Sequence, residues 1–312
     1  MNKKGFTLME LLAVIVILGL LSVLIVPKVV SSIKDSKKKS YEVSVNNLVD
    51  ALNSMAIDKK ATLTPFNGCS YNFDSSLNTC TDLEFSGMLP DSGSVSVDSD
   101  GNVNGVVEYG DYEFDVIQNN VMNFPTEYIR VEYIESDGNQ YINTNIIPNN
   151  EMGVYLKVSS SDVIHDLIYF GSKGNGLTRF WIGNVSSQLY YGWNGLTDAQ
   201  NRPAILVNTI NEIKMNYFND RKNILNDQMI EQNLDVLVSN DYTITVFAGN
   251  NQGTASYKSK IKLYDLKVSQ GGKIVNSFIP CYRKSDDVAG LYDIIEGVFY
   301  TNSGTDEFVI GE

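Results

Sequence analysis

The sequence predicts an α+β N-terminal part, a long kinked helix laid on a small antiparallel sheet, followed by an all-β sandwich with jelly-roll connections. Three observations carry this expectation. Residues 6–26 are almost wholly apolar and run on into a helical stripe. Residues 93–117 hold three short alternating runs, and beyond residue 127 at least eight runs rich in β-branched and aromatic residues recur between turn signals.

The opening segment, KKGFTLMELLAVIVILGLLSVLIVP, sets two lysines and a glycine ahead of an apolar run interrupted by one acid, Glu10. A secretory signal ends its apolar region in small residues for cleavage, whereas here the candidate cleavage point, Gly5-Phe6, precedes that region. The apolar helix therefore stays in the mature chain. From Phe6 to Val26 it extends about 32 Å at 1.5 Å per residue, enough to cross a hydrocarbon core of about 30 Å. An ionised carboxylate on such a helix is costly and usually functional. Its nearest positive partner is the amine that cleavage before Phe6 would create, on the same chain or on a neighbouring subunit.

Gly5, Phe6, Thr7, Leu8 and Glu10 together resemble the processing motif of the type IV pilin and pseudopilin family. The resemblance implies cleavage after Gly5 by a prepilin peptidase, methylation of the new Phe6 amine, and a contact between Glu10 and that amine during assembly. It also implies an N-terminus in the cytoplasm, a matter that charge counting leaves open because lysines flank both ends of the apolar run. Partners follow from it: other pilin subunits along the helix, the peptidase, and an assembly platform in the membrane. The subunit is expected in the cytoplasmic membrane before assembly and on an extracellular filament afterwards. Pro27 stands where pilins carry a helix-kinking proline.

Beyond Pro27, Val30, Ile33, Tyr41, Val45, Leu48, Leu52 and Met55 recur at helical spacing, which extends the helix to about Lys59. The expected organisation is a leader at 1–5, a long helix over 6–59, a small head over 60–117, a linker over 118–126 and a sandwich over 127–312. In the head, Ser94–Val97, Val103–Tyr109 and Tyr112–Ile117 read as strands separated by tight turns. Asp98, Asp100 and Asn102 suggest a turn rather than a calcium loop, because Gly101 falls at the wrong offset. Cys69 and Cys80 flank a polar loop and form a candidate disulfide, while Cys281 reads as a buried apolar residue.

In the second region the expected strands are Tyr128–Ile134, Gly153–Val158, Leu167–Gly171, Arg179–Gly183, Gln188–Trp193, Ile210–Phe218, Tyr242–Ala248 and Ile261–Val268. The apolar phase slips between Leu263 and Leu266, which indicates a bulge or a change of sheet. His165 is expected within a strand. The segments Tyr133–Thr144 and Phe278–Gly304 resemble concanavalin-A-like, laminin-G-like domains of Gram-positive surface and phage-type proteins. In such domains the two ends meet, so Arg283, Lys284 and Asp286 are expected to hold a closing turn, with Tyr292, Phe299 and Tyr300 in the core.

The candidate ligand-binding aromatics are Trp181, Tyr190, Tyr191 and Trp193, next to Phe180, because flat rings stack on sugar faces; core packing is their other reading. A net charge of −13 disfavours nucleic acid as a partner. One histidine excludes a histidine-rich metal site, and no cofactor is implied. The expected function is a non-enzymatic filament subunit, a low-copy minor pilin that displays its sandwich for adhesion to a glycan or host surface. A pseudopilin of a type II secretion or DNA-uptake (competence) machine is the alternative, and a membrane-tethered carbohydrate hydrolase the contrasting class.

Overall fold

The computed structural model describes residues 8–62, 66–75, 78–80, 83–175, 178–193, 202–217, 222–230 and 240–311, except the side chains of residues 21, 22, 24 and 193. Two compact units divide the chain, residues 1–123 and 124–312.

In the first unit, helix α1 runs unbroken over Leu8–Ala61, with Pro27 inside it. Five strands follow: β1 (Cys69–Asn72), β2 (Ser92–Val97), β3 (Val103–Tyr109), β4 (Tyr112–Ile117) and β5 (Asn120–Phe124), in the spatial order β1-β2-β3-β4-β5. The core is made where helical spacing meets strand alternation. Val45, Leu48, Leu52 and Ala56 present one face of α1 to Val95, Val97, Val103, Val107, Phe114 and Val116. Below Tyr41 the same helix has no such cover: Leu11, Ile17, Leu20, Val23, Val26 and Ile33 are all more than half exposed.

Local chemistry sets the turns of this sheet. Asp98 Oδ1 accepts the backbone N–H groups of Asp100 and Asn102 at 2.8 and 2.9 Å, and Gly101 takes φ +88°. The carboxylate is thus consumed by the turn. Between β4 and β5, Gln118 and Asn119 both have positive φ, 47° and 68°, the backbone of a two-residue hairpin turn. Strand β5 lies inside the segment 118–126 that the sequence suggested as a linker. Pro125 stands just after the strand, so it removes no ladder hydrogen bond from it.

The second unit is sandwich-like. Among the described residues, one sheet follows the path Gln228–Ile230, Asn223–Leu225, Asn211–Met215, Met152–Ser160, Ile261–Gln270, Lys273–Arg283, Ala289–Asp293, Val298–Thr301. The other follows Gln188–Trp193, Arg179–Val185, Leu167–Lys173, Thr245–Val246, Ile142–Asn143. Side chains from both inner faces, among them Leu156, Ile213, Leu266 and Phe278 from the first and Phe180, Ile182, Tyr191 and Val246 from the second, form one core. The pairing of Met152–Ser160 with Ile261–Gln270 shifts register between Leu263 and Asp265, where the apolar phase slips in the sequence. The extra residue lets both Leu263 and Leu266 face inward.

His165 does not lie in a strand. The strand begins at Leu167, and Val163–Asp166 form a bend in which Asp162 Oδ1 accepts the N–H of Ile164 at 3.1 Å. The local apolar run was outweighed by this side-chain-to-backbone turn.

Candidate functional site

Glu10 lies in the first turn of α1, exposed, with apolar residues on every side of it. Gly5 and Phe6 lie outside the described residues. The helix is long and apolar enough to cross a membrane by length and composition. Its lower part buries nothing against the first unit, whereas Val45, Leu48 and Leu52 are fully covered. One helix thus carries two different surfaces, an apolar cylinder below and a half-buried stripe above. The lower surface needs lipid or other apolar chains around it.

The aromatic cluster is placed differently from the expectation of a recognition surface. Phe180 and Tyr191 point into the sandwich core, and the Tyr191 hydroxyl donates to the carbonyl of Ile224 at 3.2 Å. Burial raises the pKa of that hydroxyl well above the usual tyrosine range. Trp181 and Tyr190 face the other side of the sheet, yet both are buried, at 6 % exposure each, in a small cluster with Ile168. None of these four rings offers an open face for stacking. The side chain of Trp193 lies outside the described residues. Alternation along paired strands explains the result, because neighbouring aromatics must face opposite sides of the sheet.

Glycines make room for Trp181. It stands in register between Gly171 and Gly192 on the flanking strands. A Cβ at Gly192 would sit 2.2 Å from Trp181 Cδ1 and 2.3 Å from Nε1, so the indole occupies the space a side chain would need. Arg179 lies over the indole with Cζ 5.6 Å from the ring centroid, and its Nη1 donates to the Tyr190 hydroxyl at 2.8 Å. The Arg202 guanidinium lies 4.7 Å from the Tyr190 ring centroid. Tyr257, half exposed, meets the indole edge-on with centroids 6.0 Å apart. Arg179, Arg202 and Tyr257 were not singled out by sequence reasoning. Alternation past Trp181 points to Arg179, but nothing local places Tyr257 beside it.

Elsewhere the second unit is held by polar structure. Arg283 makes a bidentate pair with Asp286 at 3.0 and 2.6 Å, and Lys284 Nζ donates to the Thr126 carbonyl. The Arg283 contact holds the Asp286 carboxyl below its usual range. Tyr292 is buried, whereas Phe299 and Tyr300 are only partly so. Asp293, fully buried and not anticipated from the sequence, accepts from Asn276 Nδ2 at 2.6 Å and from the N–H groups of Ser277 and Ile295 at 3.0 and 3.1 Å. Cys69 and Cys80 are disulfide-bonded with Cα atoms 5.0 Å apart, and Cys281 is a buried free thiol. Among the described residues no group of three or more His, Cys, Asp or Glu could hold a metal ion.

Residues 1–26 match the family model described as the prokaryotic N-terminal methylation motif. No curated protein and no solved structure matches the chain. No concanavalin-like or laminin-G-like family is identified for the second unit, although its sandwich is present. The motif, together with the uncovered apolar helix, supports a type IV pilin or pseudopilin, anchored in a membrane and processed by a prepilin peptidase, with a structural rather than an enzymatic role.

Proposed function

We propose that the protein is a non-enzymatic subunit of a type IV pilus, a low-copy minor pilin that displays its β-sandwich for adhesion. The observation that carries this reading is the split character of α1: a motif-bearing apolar half whose described side chains are exposed, with Glu10 near its start, and a second half that packs on the head. Lipid covers the exposed half before assembly, and the equivalent helices of other subunits cover it afterwards. Glu10 meets the methylated Phe6 amine of an adjacent subunit. In a low-dielectric surrounding such a pair favours one axial register, because any other leaves a charge unmatched.

A sandwich on every subunit would crowd a helically packed shaft, which favours a rare position, at or near the tip. The experiment is incorporation. Glu10→Ala in the full chain is expected to be cleaved and to remain in the membrane while entering sheared filaments at least tenfold less than the parent. Equal incorporation of variant and parent would refute the assembly role of Glu10.

A further inference from the structure

The outer face of the smaller sheet carries an electrostatic imbalance. Arg179 is only partly exposed, yet it makes no ion pair with any acid among the described residues, although the chain has a net charge of −13. Among the described residues its buried Nε has no acceptor, and neither has Trp181 Nε1. A buried N–H without an acceptor costs about 1–3 kcal/mol, and guanidinium groups withdrawn from water ordinarily find a carboxylate or phosphate. Both donors belong to side chains that meet over Gly192, where no side chain intervenes: the Cβ position of Gly192 lies 2.3 Å from Trp181 Nε1 and 3.2 Å from Arg179 Cβ. At the other end of the indole, Gly249 underlies Cε3 and Cζ3, and Tyr257 stands edge-on with about half of its surface exposed.

We propose that Arg179, Trp181 and Tyr257 form a subsite for a saccharide that carries a carboxylate. The Arg179 fork takes the carboxylate, the Trp181 N–H beneath it gains its missing acceptor when the guanidinium shifts onto the ligand, and the Tyr257 ring receives the face of an adjacent pyranose. The subsite rests on the adhesion reading of the sandwich and gives that reading a chemical class of ligand. A planar carboxylate suits the fork geometry, and an amphipathic ring suits a sugar face. The buried Tyr190 holds Arg179 from beside the site and Tyr191 lies on the core face beneath it; neither ring touches the ligand.

The test uses the full chain in detergent micelles, titrated with galacturonic acid trimers, the matched neutral galactose trimers and inorganic phosphate. Trimers of galacturonic acid are expected to bind at least tenfold more tightly than the neutral trimers and to shift the indole N–H resonance of Trp181, assigned by its loss in Trp181→Phe. Arg179→Gln is expected to weaken acidic binding tenfold or more, and Tyr257→Ala threefold or more. If Arg179→Gln fails to fold, the indole shift in the parent decides the matter: no shift at saturating acid overturns the proposal. Equal binding of acidic and neutral trimers, unaffected by Tyr257→Ala, would overturn the subsite and leave adhesion standing. Phosphate that competes as well as the acidic trimer would reduce the site to an oxyanion site without sugar recognition. No binding of any probe would overturn the subsite and leave adhesion, which does not depend on an acidic sugar, standing.

Discussion

Tyr41 on α1 stacks on Tyr109 of β3, with ring centroids 4.8 Å and planes 19° apart. The contact marks the level at which the helix changes from an uncovered apolar cylinder to one wall of a core. Below it, the described apolar side chains of α1 are not buried by the head and need lipid or other apolar chains to cover them. Above it, the head provides that cover. Tyr109 is almost fully buried, and its hydroxyl donates to the Met88 carbonyl at 2.9 Å. Burial, reinforced by Asp91, pushes its pKa up to about 12.

Replacing this residue separates ring from hydroxyl. Tyr109→Phe is expected to lower the stability of the first unit by about 1 kcal/mol, the usual contribution of one hydrogen bond, and Tyr109→Ala by about 3–5 kcal/mol through the cavity left behind. Urea unfolding of the full chain in micelles measures both. Indistinguishable midpoints for parent and Tyr109→Ala would contradict the packing role assigned to the ring.

The Cys69–Cys80 bond closes a short loop, at a sequence separation of 11, against the edge strand β1. Its removal by Cys69→Ser with Cys80→Ser is expected to cost about 2–4 kcal/mol, chiefly by freeing the unfolded chain. Reduction of the parent with dithiothreitol should lower the same transition to a similar extent. A transition that moves in neither experiment would show that the loop is held without the bond.

Cys281 gives a pH dependence with a definite sign. Burial raises its pKa from 9.0 to about 12, while a backbone contact with Tyr292 and the charge of Arg130 act against the rise. A group whose folded pKa is raised keeps its full contribution below the unfolded value and loses it as pH climbs toward the folded value. Stability should therefore fall between pH 9 and 12, and should fall less steeply in Cys281→Ala. The thiol should also resist alkylation at pH 8 until the second unit unfolds. Parallel pH slopes for parent and variant, or rapid alkylation of the native protein, would contradict this account.

Gly192→Ala tests the seat of Trp181. The added Cβ would meet the indole at 2.2 Å, far inside contact distance, so the ring must move off the sheet. The expected cost is about 1–3 kcal/mol, with a red shift of tryptophan emission read in a Trp193→Phe background. Unchanged emission would show that the indole does not lie on that glycine.

The legible parts of the fold were those where local pattern and tertiary demand agree. Strands β3 and β4 coincide with the alternating runs read from the sequence, since one face of each packs in the core shared with α1, although the last four residues of β4 are buried on both faces. The bulge after Leu263 was visible because two leucines three apart in a strand cannot both face inward without an extra residue. Strand β5, NVMNF, was hidden by the polar residues and proline that flank it, and its signal was the Gln118-Asn119 pair, which supplies a left-handed turn. The orientation of Trp181 and Tyr190 was not legible. Which face of a strand is buried by its own sheet's neighbours depends on Gly171, Gly192, Gly249 and Tyr257, and no local pattern joins those positions. His165 was misplaced because the acceptor of its turn, Asp162, precedes the apolar run that suggested a strand.

On the proposed reading, Glu10 sits on a retained membrane helix in order to meet an amine exposed by processing. Intact-mass spectrometry of the protein purified from its native cell tests this most directly. The expected product is a chain that begins at Phe6 and carries one added methyl group on its terminal nitrogen. A chain that still begins at Met1, unmethylated, would contradict it.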